Sequence, residues 1–154
     1  MAEEEVKQAE EIKGFDEFIK KGIVRKVTPD PNRANNLKAR AEDKKDSLKE
    51  RIDKIGISDK NAEDYVESCY DIIMLMIRAK MLLSGYNATG YEAHKAEVSY
   101  LKNLGFSENE IQFMDKLRYF RKGILYYGTV LDKDYAEKVI DFFNQAYPKL
   151  KKLI

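Results

Sequence analysis

A chain of 154 residues suits one domain, and a domain of that size buries roughly two thirds of the surface its unfolded chain exposes, so neither metal nor disulfide is required to hold it. Lys and Arg number 28 against 27 Asp and Glu, a net charge of +1, so the whole molecule steers polyanions weakly and any nucleic-acid contact has to come from a local patch. The single cysteine, Cys69, excludes an internal disulfide, a CxxC-type metal site and a redox pair, and it fits a reducing cytoplasm.

The opening Met1-Ala2-Glu3-Glu4-Glu5 is acidic where a targeting segment would be basic, and no apolar run follows it, so a cytoplasmic location is expected. Ile72 to Leu83 is the most apolar window. It is about 12 residues long against the roughly 20 needed to span a bilayer, and it contains Arg78 and Lys80, so it reads as a buried core helix with no membrane role.

Apolar residues recur at helical spacing nearly throughout, which predicts an all-α fold. A first helix is expected over 3–20, with Val6, Ala9, Ile12, Phe15 and Ile19 on one stripe and Gly22 ending it. Ile23 to Val27 is a β-prone connector. Asp30 then caps a second helix whose first position is Pro31, where the missing N–H costs nothing. Ala34, Leu37, Ala41, Leu48, Ile52 and Ile55 form its stripe up to Gly56, with the middle covered by the stems of Lys44 and Lys45.

Ser58 or Asp59 is the expected cap of a third helix, apolar on both sides from Tyr65 to Leu83, which belongs at the centre of a bundle or in a dimer interface. Thr89 with Glu92 and Ser107 with Glu110 have capping-box spacing, and would open helices over 90–104 and 108–127. Asp132 starts a last helix that Pro148 is expected to kink or break. No repeat or linker divides the chain, so residues 1–154 read as one domain, with an N-terminal helix over 1–21 and a core over 30–154.

The stretch richest in chemistry runs from Lys116 to Gly128, where Arg118, Arg121 and Lys122 are interleaved with Tyr119, Phe120, Tyr126 and Tyr127. On residue type alone, the cations form a solvated helix face partnered by Asp115 or Glu110, or an anion-binding surface. Phe113, Leu117, Phe120, Ile124 and Tyr127 share one stripe, so part of the aromatic set is core, while Tyr119, Tyr126 and Tyr127 are candidates for stacking on bases. Gly123 weakens a helix interior by about 1 kcal/mol relative to alanine, and so marks either a close approach or fraying. His94 is the sole histidine and lacks companions for a metal site, which leaves it a structural or hydrogen-bonding role. Lys149, Lys151 and Lys152 suit the C-terminal end of a helix. No metal and no cofactor is implied, and P-loop, dinucleotide and zinc-protease patterns are absent.

Tyr70 to Leu83, the turn Ser84-Gly85-Tyr86, the pair His94-Lys95, the stretch Phe120 to Tyr126 and the lead-in Gly22 to Asp30 follow one another in an order and spacing that resembles the HEPN family, in its archaeal-type form. The resemblance implies an antiparallel up-and-down four-helix-bundle core with additional N-terminal and short helices. It also implies a homodimer with its cleft between paired signature helices, and a partnership with minimal nucleotidyltransferases in toxin–antitoxin-type systems. Ribonuclease members of the family carry an arginine followed after roughly four to six residues by histidine. Here Arg121 stands for the arginine, and Tyr126, Tyr127 and Gly128 occupy the histidine region.

Guanidinium keeps its charge and its bidentate grip on phosphate. A tyrosine of pKa about 10 is ionised in only about one molecule in a thousand near neutral pH, so Tyr126 as general base costs about 4 kcal/mol. The expected activity is therefore binding of a nucleotide, RNA or a nucleotidyltransferase partner through Arg118, Arg121, Lys122, Tyr126 and Tyr127, with little or no catalysis. The alternatives are a metal-independent ribonuclease using Arg121 and Tyr126, and a purely structural protein-interaction bundle.

Overall fold

The computed structural model describes residues 13–123 and 130–154. The elements run α1 (Phe15–Lys20), β1 (Val24–Lys26), α2 (Pro31–Ile55), α3 (Ala62–Leu83), β2 (Tyr86–Ala88), α4 (Ala93–Ser99), a 3-10 turn (Tyr100–Leu104), α5 (Glu108–Arg121) and α6 (Lys133–Lys152). The fold is all-α apart from β1 and β2, which pair antiparallel with Val24 opposite Ala88.

Helix α3 is the axis of the packing. Tyr65, Ile72, Ile73, Met74, Met76, Ile77 and Met81 are all nearly inaccessible to water, and α2, α5 and α6 pack around them. A helix with apolar residues on both sides avoids water only by being covered on both sides, so the composition of α3 dictates its central place. Helix α2 returns antiparallel beside it: the Asp30 amide donates to the Leu82 carbonyl at one end (3.1 Å), and Arg51 Nη2 donates to Ser68 Oγ at the other (3.3 Å).

Several ends form as the sequence dictates. Asp30 Oδ1 accepts from the Arg33 amide (3.0 Å) with Pro31 at the first helical position, and α2 stops at Gly56. Ser107 and Glu110 form the reciprocal capping box of α5. Asp132 caps α6 through the Tyr135 amide (2.9 Å).

Other ends differ, each for a local reason. Neither Ser58 nor Asp59 caps α3: the N-cap is Asn61, whose side chain accepts from the Ser58 amide and donates to the Gly56 carbonyl, so it stitches the preceding turn. Asp59 instead accepts from the Lys133 amide (2.9 Å), joining the α2–α3 turn to the start of α6. Thr89 and Glu92 form no capping box, because the Thr89 amide is spent on the Ile23 carbonyl beside the β ribbon and Gly90 adopts φ 91°, outside the helix. Helix α4 accordingly begins at Ala93, and tightens to a 3-10 turn from Tyr100 that Gly105 ends.

Regular helix in α5 ends at Arg121, short of the expected Tyr127, because Lys122 and Gly123 close it, Gly123 at φ 83°. Gly123 is thus a helix terminator rather than an interior weakness. The expected α5 positions Ile124 to Tyr127, and the expected first-helix positions Met1 to Ile12, lie outside the described residues. Pro148 does not break α6, which continues to Lys152. Phe143, Tyr147 and Leu150 are anchored in the core, while Asn144 and Pro148 are exposed, so the missing hydrogen bond falls on the solvent side of the helix.

The turn after α3 depends on Gly85. Its φ is 83°, a Cβ placed there would lie 2.9 Å from the Val27 carbonyl oxygen, and its own carbonyl accepts from the Val27 amide (2.8 Å), which ties the β lead-in to this turn. Gly85→Ala is expected to destabilise the protein by about 1–3 kcal/mol in urea unfolding. Ile73→Ala, in the dense middle of α3, should cost about 2–5 kcal/mol in the same measurement.

Candidate functional site

The C-terminal end of α5 distributes its cations unequally. Arg118 points inward: it is buried, its Nε donates to Asp115 Oδ1 at 2.6 Å, and its guanidinium lies 4.6 Å from the centre of the Tyr119 ring. Asp115 is thus its partner, yet the pair is internal and not part of a solvated face. Arg121 is about half exposed and is held by Asp71 of α3 (3.2 Å), with Glu67 at 4.0 Å. Lys122 caps the helix beside the open Tyr91, 5.6 Å from that ring centre, and among the described residues no acid lies within ion-pair distance of it. Tyr126 and Tyr127 lie outside the described residues.

Near this end the fold brings residues that the local motif does not contain. His94 of α4 is exposed at the mouth of a cleft of about 390 Å³, whose polar lining comprises Arg33 and Arg40 of α2, Arg78 of α3, Asn87 of β2, and Glu97 of α4. Desolvation holds the His94 pKa below its ordinary value, and the positive fields of Arg78, Lys122 and Arg118 depress it further, against a smaller opposing effect of Asp71. That set of neighbours places His94 between the cleft and the basic end of α5. The lowered pKa favours the neutral imidazole, which donates at one nitrogen and accepts at the other.

Glu97 is the deepest charge of the cleft. Burial pushes its carboxyl pKa up, against the pull of Arg78, whose Nε donates to Oε2 at 2.9 Å; Oε1 has no partner among the described residues. Arg78 is one-third exposed, so Glu97 anchors the guanidinium from below while its outer side remains accessible from the cleft.

A second, smaller cleft of about 130 Å³ adjoins along the same two helices, lined by Lys44, Ser47 and Arg51 of α2 and by Ser68 and Asp71 of α3. Asp71 is the acid that holds Arg121, so this cleft meets the end of α5. No local motif marks the α2 cations in the sequence; their signal is the spacing Arg33, Arg40, Lys44, Arg51, which repeats one flank of a helix beside the apolar stripe.

Other candidates are structural. Lys149 donates to the Gly105 carbonyl (2.9 Å) and lies over Phe106, and Lys151 pairs with Glu42 (3.0 Å). Cys69 is fully buried, with burial pushing its thiol up to about 12, which excludes a thiolate nucleophile. No group of three His, Cys, Asp or Glu side chains among the described residues is placed to hold a metal ion. No helix among them is long and apolar enough to cross a membrane. Comparison with protein-family models, with curated proteins and with solved structures gives no match.

Because His94 is the only histidine, its titration is read from one imidazole signal in an NMR pH series. It should titrate below the ordinary histidine range, and Lys122→Ala should move it upward. Its depressed pKa means that its contribution to stability is complete above the unfolded value and is lost as pH falls. Arg78→Met should cost about 1–3 kcal/mol by stranding the Glu97 carboxylate, with much of the loss recovered in Arg78→Met/Glu97→Gln, a double-mutant cycle read by urea unfolding.

Proposed function

We propose that the chain is a HEPN-like module that binds a phosphate-bearing ligand, a nucleotide or RNA, at the face where α5 ends beside His94. In this reading α2, α3, α5 and α6 are the four-helix core of the family, and the protein acts as a homodimer beside a minimal nucleotidyltransferase in a toxin–antitoxin-type pair. The single observation that carries the binding reading is convergence of Arg78 of α3 with Lys122 and Arg118 of the α5 end on His94 of α4, so that cations from two helices meet a third. Concentrated positive charge on a nearly neutral molecule is what an anion-binding patch requires.

Each residue has a distinct part. Lys122 offers an ammonium with no ion-pair partner among the described residues. Arg121 engages phosphate by exchanging Asp71 for a phosphate oxygen, which keeps the guanidinium positioned while the site is empty. Arg118, locked on Asp115, contributes field rather than contact. His94 and the exposed Tyr91 supply a hydrogen bond and a stacking surface for a base.

A second reading, a metal-independent ribonuclease, is favoured by the same neutral His94. It supplies the proton-transfer group that the α5 motif lacks, at a far smaller penalty than Tyr126.

Labelled RNAs and nucleotides incubated with the pure protein in chelator separate these readings. Binding without cleavage, weakened roughly tenfold by Arg121→Ala or Lys122→Ala, is the expected result for the binding module. Cleavage lost in both Arg121→Ala and His94→Ala would establish the nuclease. Binding that survives both cation substitutions unchanged would remove the proposed face, and a monomer at all concentrations in sedimentation would remove the dimer.

A further inference from the structure

The two clefts lie end to end. Arg33, Leu37, Arg40, Lys44, Ser47 and Arg51 occupy successive turns on one flank of α2, and Leu82, Arg78, Leu75, Asp71 and Ser68 run antiparallel to them on α3. The larger cleft ends at Arg40 and Leu75, and the smaller begins one turn further at Lys44 and Asp71, so there is no intervening turn on either helix. Helix α3 forms the floor and α2 one wall; His94 of α4 lines the far side of the larger cleft, and Arg121 at the end of α5 reaches Asp71 of the smaller one. From Arg33 to Arg51 this groove is about 27 Å long at about 1.5 Å per residue.

Charge in the groove is one-sided. Its two acids are both committed, Asp71 to Arg121 and Glu97 to Arg78, whereas Arg33, Arg40 and Lys44 are exposed and have no acid within ion-pair distance among the described residues. The opposite flank of α2 differs: there Lys45 lies 5.2 Å from the centre of the Tyr147 ring and, with Lys49, lines an apolar recess against α6. Unneutralised cations are thus aligned along the groove at helical intervals. Between them the groove is lined by the partly exposed Leu37 of α2 over the buried Leu75 of α3, which makes its bottom apolar.

We propose that this α2–α3 groove is a track for the sugar–phosphate backbone of a single-stranded nucleic acid several nucleotides long, with Arg33, Arg40 and Lys44 each meeting a phosphate. The track deepens the anion-binding reading above and rests on it. A single strand fits better than a duplex because the cations follow one line in a narrow groove, and a flexible backbone can follow that line while its bases turn to Leu37, Tyr86 or His94. A lone mononucleotide would leave most of the line unused.

The test compares two double variants of equal charge on the same helix, Arg40→Gln/Lys44→Gln in the groove and Lys45→Gln/Lys49→Gln on the opposite flank. Oligouridylates of about 3, 6 and 12 nucleotides are titrated by fluorescence anisotropy over a range of salt, with circular dichroism to verify folding. The wild type should bind the longest oligonucleotide tightest. The groove variant should lose on the order of tenfold in that affinity, and its log K against log salt slope should flatten by about 1.4, since each single-strand phosphate contact contributes about 0.7. The opposite-flank variant should match the wild type.

Equal losses from both variants, or none from the groove variant, would overturn the track. Mononucleotide binding that needs Arg121, with no gain from chain length, would overturn the track and leave the anion-binding face standing. No binding of any of these ligands by the wild type would overturn both. A groove variant that changes sedimentation but not RNA affinity would show the groove to be a protein interface and overturn the track.

Discussion

Everything in this fold depends on covering α3. Fourteen of its 22 residues are buried, so neighbours are required on nearly every side of it. At roughly 25 cal/mol for each Å² of apolar surface removed from water, a helix of this composition is stable only as an axis. The side chains left in contact with solvent include Glu63, Asp64, Glu67, Ser68, Asp71 and Arg78, gathered on one side of the helix. Those residues are where α2, α4 and α5 leave α3 incompletely roofed. The demand for burial therefore decides where a ligand can reach the centre of the protein.

Electrostatics in the molecule is organised by pairing rather than by net charge. Arg118 is set against Asp115, Arg78 against Glu97, and Arg121 against Asp71 with Glu67 at the limit of reach, at decreasing depth. The deepest pair fixes the end of α5, because breaking it would leave a charge in the core. The outermost can open to solvent or to a ligand at small cost, since exposed pairs contribute little. A total near zero conceals a molecule in which the acids are placed against particular cations and a row of others is left unneutralised.

The sequence was most legible where a signal is local. The pair Asp30-Pro31, the stop at Gly56, the box from Ser107 to Glu110, the cap Asp132 and the two-sided apolarity of α3 depend on residues within a turn or two of one another. Legibility failed where a distant group outcompeted the local one. Thr89 has box spacing, but its amide is claimed by Ile23 through the β ribbon. Asp59 resembles a cap for α3 and serves α6 instead. Pro148 is tolerated because the core contacts of Phe143, Tyr147 and Leu150 outweigh one missing hydrogen bond. The site was legible only in part for the same reason: Arg121 and Lys122 stand in a readable motif, whereas His94, Arg78 and the α2 cations meet them only through the fold.

Burial of Cys69 has a practical consequence. Its sulfur lies in the middle of α3 with no access to solvent, and its raised pKa removes the thiolate that reagents attack. In the native state it is chemically silent, and it becomes reactive only when the axis of the fold is exposed. The rate at which a thiol reagent captures this one sulfur is therefore an internal clock for opening of the core. The silence also means that a cysteine introduced on the surface can carry a spectroscopic label without competition from the native one.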